Sequence, residues 1–202
     1  MNDQINEDNW RVVRNRDLYA MMCADFGAPA IERKHGLSFT LSWRNLHNDC
    51  LISTSRELIF LIIHNKLLVR ERLFHIRQAI DPYCLYCIDQ AGAIICDIDH
   101  YFCSCTRISR TWATLKSLIL TLLDVDVAQV SDSNLLRLNI KMDRCMGTIW
   151  ILGVYVTAVW KATGKDTLLC EAELFGFLKF KFRTAKLGTR EQIEIVERLL
   201  VN

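Results

Sequence analysis

Four residues with metal-binding side chains are spaced along residues 81–105 in the order C-x2-C, about a dozen residues, then H-x4-C. They are Cys84, Cys87, His100 and Cys105. A zinc ion takes four thiolate or imidazole ligands at tetrahedral angles, and a structural site leaves no ligand position open for a substrate. Two cysteines separated by two residues can bind one ion from a tight turn, and the histidine and later cysteine complete the set. The spacing therefore predicts one structural zinc site, which favours a binding module over an enzyme.

Two alternatives to this ligand set stay open at the level of sequence. Cys103 lies in the same segment, and His100 with Cys103 would form an H-x2-C arm that is also sterically reasonable. The segment could instead be a metal-free turn with buried, reduced thiols, because cysteine is common in protein cores. Asp97 and Asp99 precede His100. Either could accept a hydrogen bond from the second ring nitrogen of the histidine or be a solvated loop charge.

The cysteine content bears on the compartment. This chain of 202 residues has nine cysteines, which favours metal binding in a reducing compartment over a secreted disulfide framework. The N-terminal residues MNDQINEDNW are polar and acidic, whereas a signal peptide needs an apolar core. We therefore expect an intracellular protein of the nucleus or cytoplasm.

The remaining composition is that of a folded chain. Hydrophobic residues make up 51% of the sequence and only two prolines occur, so disorder is not expected beyond the ends. The longest apolar run, 148–160, ends at Lys161 and is shorter than the roughly 20 residues of a membrane span. We expect a buried helix there and no membrane anchor. The net charge of +2 argues neither for nor against nucleic acid, because a local basic face can coexist with a balanced total.

Helical periodicity dominates on both sides of the cysteine-rich segment. Thr54 and Glu57 have the capping-box spacing ahead of an apolar stretch, and Asp81–Pro82 is expected to end the helix that precedes it. The predicted helices are 67–80, 108–123, 135–160 (one helix, or two broken near Gly147), 168–187 and 193–201. Phenylalanine and lysine alternate near the end of 175–182, as in a strand, but the helical context favours a helix.

We therefore predict a mainly α fold, a helical domain with a zinc-stapled turn between two helical halves. We divide the chain into a partly ordered N-terminal extension at 1–42, a zinc-binding domain at 43–124 and a C-terminal helical region at 134–202. No phosphate-binding loop or nucleophile elbow is present in the sequence, and we expect no small-molecule substrate.

The stretch from about Trp43 to Trp112 resembles the zinc-binding domain that follows the polymerase in reverse transcriptases of LINE-type, non-LTR retrotransposons. The resemblance is carried by LIFLIIHNKLLVRERL at 58–73, DPYCLYC at 81–87, DHYFCSC at 99–105 and the downstream Trp112, and it covers about a third of the chain. It implies Cys84, Cys87, His100 and Cys105 as zinc ligands, since the last two match the H-x4-C arm of the family. Cys103 departs from the family, where that place is usually apolar or polar.

The resemblance also raises the question of enzymatic activity, and the sequence lacks the motifs of a polymerase or an endonuclease. The parent proteins are large RNA-directed DNA polymerases, but no Tyr or Phe followed by paired aspartates occurs here, and 202 residues cannot hold a polymerase as well. We also find no endonuclease carboxylate cluster. We expect a non-catalytic piece of such a polyprotein, either detached, domesticated or a relic reading frame.

Arginine and aromatic residues around the turn predict contacts with RNA or DNA, because this pairing serves phosphate contact and base stacking on single strands. The candidate residues are Arg70, Arg72, Arg77, Tyr83, Tyr101, Arg107 and Arg110. The alternative is that the arginines are ordinary solvated charges and the aromatic rings pack the small zinc core. A second hypothesis is a protein-interaction scaffold in which zinc is purely structural and the last two helices dock a partner helix.

Overall fold

The computed structural model describes residues 36–87, 93–123, 129–141, 146–164 and 169–184. The chain divides into two compact units, 1–39 and 40–202. The described residues contain helices and turns but no β-strand, which confirms the prediction of a mainly α fold. In chain order the helices are α1 (Phe39–Leu46), α2 (Ser53–Ile63), α3 (Arg70–His75), a π-helical turn (His100–Ser104), α4 (Ser109–Leu123), α5 (Asp132–Leu136), α6 (Met146–Gly164) and α7 (Glu171–Thr184).

Helix α6 is the central element of the larger unit. It is apolar on all sides, and residues 148–159 are buried, as expected of a helix that is covered all round. Helices α2, α4 and α7 pack against it. Gly153 permits the closest approach, because a Cβ there would lie 2.5 Å from Leu51 Cδ2 and 3.1 Å from Ser55 Cβ. Ser55 Oγ donates a hydrogen bond of 2.9 Å to the Gly153 carbonyl at the same crossing.

None of the helices in the described part is both long and apolar enough to cross a membrane.

The predicted zinc-binding domain at 43–124 and the predicted C-terminal helical region at 134–202 pack against each other. Asn45 Nδ2 donates to the carbonyls of Leu138 and Ile140 at 2.8 and 3.1 Å. Thr111 Oγ1 donates to the Leu169 carbonyl at 2.9 Å. These bonds satisfy buried backbone carbonyls in the second region with side chains of the first, so the helices of both regions contribute to one core.

Several helix boundaries differ from those predicted. The capping box at Thr54 is wrong, because α2 begins at Ser53 after Ile52, whose side chain makes no cap hydrogen bond. The predicted helix at 67–80 is shorter: α3 ends at His75, and Arg77 has φ 60°, a left-handed conformation that ends a helix. The predicted helix at 193–201, the end of 168–187 and most of the extension at 1–42 lie outside the described residues.

The helical interpretation of 175–182 and the burial of 148–160 are confirmed. The predicted helix at 135–160 is two helices, α5 and α6, and the break lies before Gly147, which belongs to α6. Helix α4 matches the predicted span to within one residue.

Candidate metal centre

The two cysteines of the C-x2-C pair lie on a turn whose arms are paired. Tyr83 and Ile95 form an isolated antiparallel bridge. The Cys84 N–H donates to the Ile94 carbonyl and the Cys96 N–H donates to the Pro82 carbonyl, both at 2.8 Å. Proline has no N–H and serves here only as an acceptor. These bonds fix the backbone on which Cys84 and Cys87 are placed.

The other arm is a π-helical turn that leads into α4. The Cys105 N–H donates to the His100 carbonyl at 2.8 Å, which is the i to i+5 bond that defines a π turn. An H-x4-C spacing is also i to i+5, so this turn places the two side chains beside each other. The Cys105 carbonyl then accepts from the N–H groups of Ile108 and Ser109, each at 2.8 Å, and so connects the arm to α4.

The structure brings Cys84, Cys87, His100 and Cys105 together as one buried cluster. Their ligand atoms all lie within 4.8 Å of one another. Cys105 Sγ is 3.7 Å from Cys84 Sγ and 3.8 Å from Cys87 Sγ, and Cys87 Sγ is 3.4 Å from His100 Nε2. A disulfide requires about 2.05 Å between sulfurs, so these thiols are not bonded to one another. The cluster could hold one metal ion between its four ligand atoms.

Burial and hydrogen bonds shift the pKa values of three residues of the cluster in different directions. Burial lowers the pKa of His100, so the ring stays neutral, as a metal ligand must be. Burial raises the pKa of the Cys87 thiol, but hydrogen bonds from Thr106, with those of Cys84 and Cys105, outweigh it and leave this pKa below its ordinary value. Burial raises the pKa of Cys105 to about 12. An ion would therefore have to displace the proton of Cys105.

Hydroxyl groups contact the ligand side chains of His100 and Cys87 from outside the cluster, whereas the nearby carboxylate of Asp97 contacts only the backbone of His100. Ser104 Oγ lies 3.2 Å from His100 Nδ1, so a ring that binds metal through Nε2 carries its proton on Nδ1 and donates it to Ser104. Asp97 Oδ1 accepts from the backbone N–H of His100 at 2.7 Å. Asp99 accepts from Arg137. The prediction that Asp97 or Asp99 accepts a hydrogen bond from the second ring nitrogen of His100 is therefore wrong. The alternative, that both are only solvated loop charges, is also wrong, because each carboxylate has a protein partner.

Cys103 lies outside the cluster. In a turn that closes at i+5, the residue at i+3 faces another side, and Cys103 is buried near Asp99, Asp132 and Arg137. Its pKa is raised far above the ordinary value, first by burial and then by Asp132 and Asp99. The H-x2-C alternative is not the arrangement that the structure shows.

Three further residues belong to the surroundings of the cluster but were not found from sequence. Cys96 packs against the cluster with Tyr101, and burial, with Cys84 nearby, raises its pKa to about 12. Thr106 Oγ1 lies 3.4 Å from Cys87 Sγ. Arg137, only 2% exposed, pairs with Asp99 and contacts Ser133 Oγ at 2.6 Å. No local signal marks Arg137, because its partner precedes it by 38 residues.

The arginines predicted to bind nucleic acid are placed differently from one another. Arg70 forms a two-pronged ion pair with Asp81, with both N–O distances 3.1 Å. The Arg107 guanidinium lies 3.9 Å from the centre of the Tyr86 ring. Arg110 is 89% exposed and pairs with Glu171 of α7 at 2.7 Å. Arg72 is partly exposed on α3 and Arg77 is exposed just after it.

The two predicted tyrosines also differ. Tyr83 is exposed at the bridge with Ile95. Tyr101 packs against Phe102 and Trp160, with ring centres 4.9 and 6.0 Å away, and burial raises its pKa to about 12. Tyr101, Arg70 and Arg107 line one apolar groove of about 390 Å³, and Cys84 and Cys105 also belong to its lining. The groove lining does not include the other predicted nucleic-acid residues.

Comparison of this chain with protein-family models, curated proteins and solved structures finds no match. The geometry of the four side chains supports a metal centre without any such match. The comparisons do not link the chain to LINE-type reverse transcriptases.

Proposed function

We propose that this chain is a non-catalytic zinc-binding module of the kind that it resembles in retroelement reverse transcriptases. The observation that carries the proposal is the spacing of the four ligand atoms. With Zn–S bonds of about 2.3 Å and Zn–N bonds of about 2.0–2.1 Å, tetrahedral angles place two sulfurs about 3.8 Å apart and a sulfur and a nitrogen about 3.6 Å apart. Three of the six distances in the cluster are 3.7, 3.8 and 3.4 Å, and all six are within 4.8 Å.

The donor set supports zinc over other common ions. Thiolates and imidazole suit zinc, whereas magnesium and calcium prefer oxygen ligands. Four protein ligands close the coordination sphere, which is the property of a structural site. Three thiolates would give the zinc centre a net charge of −1, and two cations, Arg70 and Arg107, line the adjoining groove. A reducing compartment would keep the thiols available for the ion.

The role of the zinc is to fix the backbone of residues 81–105 and thereby the position of the arginines around it. Arg72 and Arg77 are accessible on and after α3, and Arg107 stacks on an exposed tyrosine, Tyr86. Accessible arginines beside aromatic rings support contact with the phosphates and bases of single-stranded RNA or DNA. We therefore propose nucleic acid as the partner of the zinc module.

The test is the salt dependence of binding to labelled single strands and duplexes of RNA and DNA, measured by fluorescence anisotropy on zinc-loaded protein. Replacing Arg72 and Arg77 with glutamine removes two charges and should lower the slope of log K against log salt by about 1.4, at roughly 0.7 per single-strand phosphate contact. The control replaces two other exposed residues, Lys66 and Lys141, with glutamine. It removes the same amount of charge at a different place and should leave the slope nearly unchanged. Absence of salt-sensitive binding to every probe, or an equal loss in the control, would refute the nucleic-acid part.

A further inference from the structure

Large apolar side chains are exposed around the metal cluster more than elsewhere. Among the residues that the structure describes, twelve large apolar side chains are exposed, and nine of them lie between residues 68 and 95. The most exposed of these are Ile80 at 94%, Leu85 at 57% and Leu68 at 54%. We call these nine described side chains the knuckle surface. Single exposed apolar residues need no explanation, but a concentration of them marks an interaction surface.

The knuckle surface belongs to one continuous part of the fold. The Glu71 N–H of α3 donates to the Cys96 carbonyl on the turn at 3.1 Å. Arg70 pairs with Asp81, at the start of the turn, and the two arms of the turn meet at the bridge between Tyr83 and Ile95. Helix α3 itself has no buried residue. Of its two apolar side chains, Phe74 is exposed and Leu73 lines the groove, while the backbone around the helix is held in place.

The size of the knuckle surface is that of a stable protein interface. The nine side chains are between 37% and 94% exposed. Phe and Tyr each bury roughly 150–250 Å² when fully covered, and with the lower end of that scale the summed exposed area of the nine residues is on the order of 700 Å². The largest apolar patch of an ordinary monomer is about 300–600 Å², and each partner in a standard interface buries about 800 Å². The summed area of these side chains is close to what one partner of a standard dimer buries.

The charges and shape of this surface suit a second copy of the same chain. A two-fold interface must be self-complementary, because the same patch supplies both sides. Both signs of charge lie beside the knuckle surface on and after α3: Arg72 and Arg77 are basic and Glu71 is acidic. The surface also carries a protruding side chain, Ile80, and an apolar groove of about 390 Å³ whose lining includes Leu68 and Leu85.

We propose that two copies of this chain associate with two-fold symmetry through the knuckle surface, so that Ile80 of each copy is covered by the groove-bearing surface of the other. The inference goes beyond the proposed nucleic-acid contact and does not depend on it. It places the partner-binding surface at the turn, whereas the scaffold hypothesis from the sequence places a partner helix on the last two helices. Arg72, Arg77 and Tyr83, which we propose or predict to contact nucleic acid, lie in the same segment. A single strand of RNA or DNA and a second copy of the chain would therefore compete for this surface.

The experiment is sedimentation equilibrium of zinc-loaded, nuclease-treated protein from about 1 to about 100 µM, the range in which a micromolar dimer forms. We expect the mass to rise with concentration from monomer to dimer. Ile80→Glu changes a side chain that is already in solvent in the monomer, so folding should be unaffected, and it should raise the dimer dissociation constant at least about tenfold. The matched control is Leu120→Glu on α4, where the side chain is 48% exposed, and it should associate like the unaltered chain.

Three results would overturn the proposal. The first is a monomer mass over the whole concentration range. The second is an equal loss of association in Ile80→Glu and Leu120→Glu, which would indicate unspecific apolar contact. The third is association that occurs only when RNA or DNA is added back, which would mean that a strand bridges the copies.

Discussion

Replacing Cys105 with serine, compared with the same replacement at Cys103, separates a metal ligand from a buried core thiol two residues away. Cys105 Sγ belongs to the cluster of four ligand atoms, whereas Cys103 does not. Binding of structural zinc is worth roughly 10–16 kcal/mol in small peptides, and an even share for one of four ligands is about 3 kcal/mol. A change of that size weakens zinc binding by about two orders of magnitude. We expect this loss for Cys105→Ser and an unchanged zinc affinity for Cys103→Ser.

Two measurements on each variant keep affinity apart from stability. Cys103 is 5% exposed, so a serine hydroxyl there costs about 1–3 kcal/mol of unfolding free energy if it finds no partner. Urea unfolding at saturating zinc measures that cost, and competition with a chromophoric chelator measures the zinc affinity. A zinc affinity that falls equally in both variants, or that Cys105→Ser leaves intact, would refute the ligand assignment and the argument from the π turn.

Three further predictions, two of them with a control substitution, concern the contacts around the site and in the core. Gly153→Ala should destabilise the fold by about 1–3 kcal/mol, because the new Cβ overpacks the crossing of α2 and α6. Gly176→Ala is the control: no atom lies within 4 Å of the added Cβ, so it should stabilise α7 by up to about 1 kcal/mol. Thermal unfolding measures both changes. Ser104→Ala removes the hydroxyl beside His100 Nδ1 and should weaken zinc binding about 10- to 100-fold in a chelator competition; an unchanged affinity would mean that this contact does not orient the ring. Arg137→Met should cost about 2–3 kcal/mol in urea unfolding, somewhat below the usual cost of breaking a buried pair because Asp99 is 32% exposed. The exposed pair of Arg110 is the control, and Arg110→Met should cost less than about 1 kcal/mol.

The metal cluster could be predicted because its ligands come as two short-range pairs. A C-x2-C pair fits a tight turn, and an H-x4-C pair fits one π turn, so each half depends on a few consecutive residues. The choice between Cys103 and Cys105 was harder, because it depends on the closure of that turn at i+5. Hydrophobic periodicity does not distinguish a π turn from an α-helical one over so few residues.

The positions of α4, α6 and α7 along the chain could be predicted from long apolar patterns, because each helix buries one face or its whole surface in the core. The end of α3 could not be predicted in the same way, since Arg77 adopts a left-handed conformation that its residue type does not indicate. The burial of Arg137 and of Tyr101 also depends on tertiary contacts. Tyr101 packs on Trp160, which is distant in sequence, so an arginine and a tyrosine that look solvated in the sequence lie in or against the core.

We propose that three thiolates and one imidazole of this chain hold a zinc ion. The most direct measurement is zinc-edge X-ray absorption on protein purified without added metal, with the zinc content of the same sample. We expect about one zinc per chain, with three sulfurs at about 2.3 Å and one nitrogen at about 2.0–2.1 Å, and a Cys84→Ser, Cys87→Ser variant without bound zinc. The matched control Cys170→Ser alters an exposed free thiol and should retain the ion. Folded protein without zinc, or a zinc shell with fewer than three sulfurs, would contradict the account.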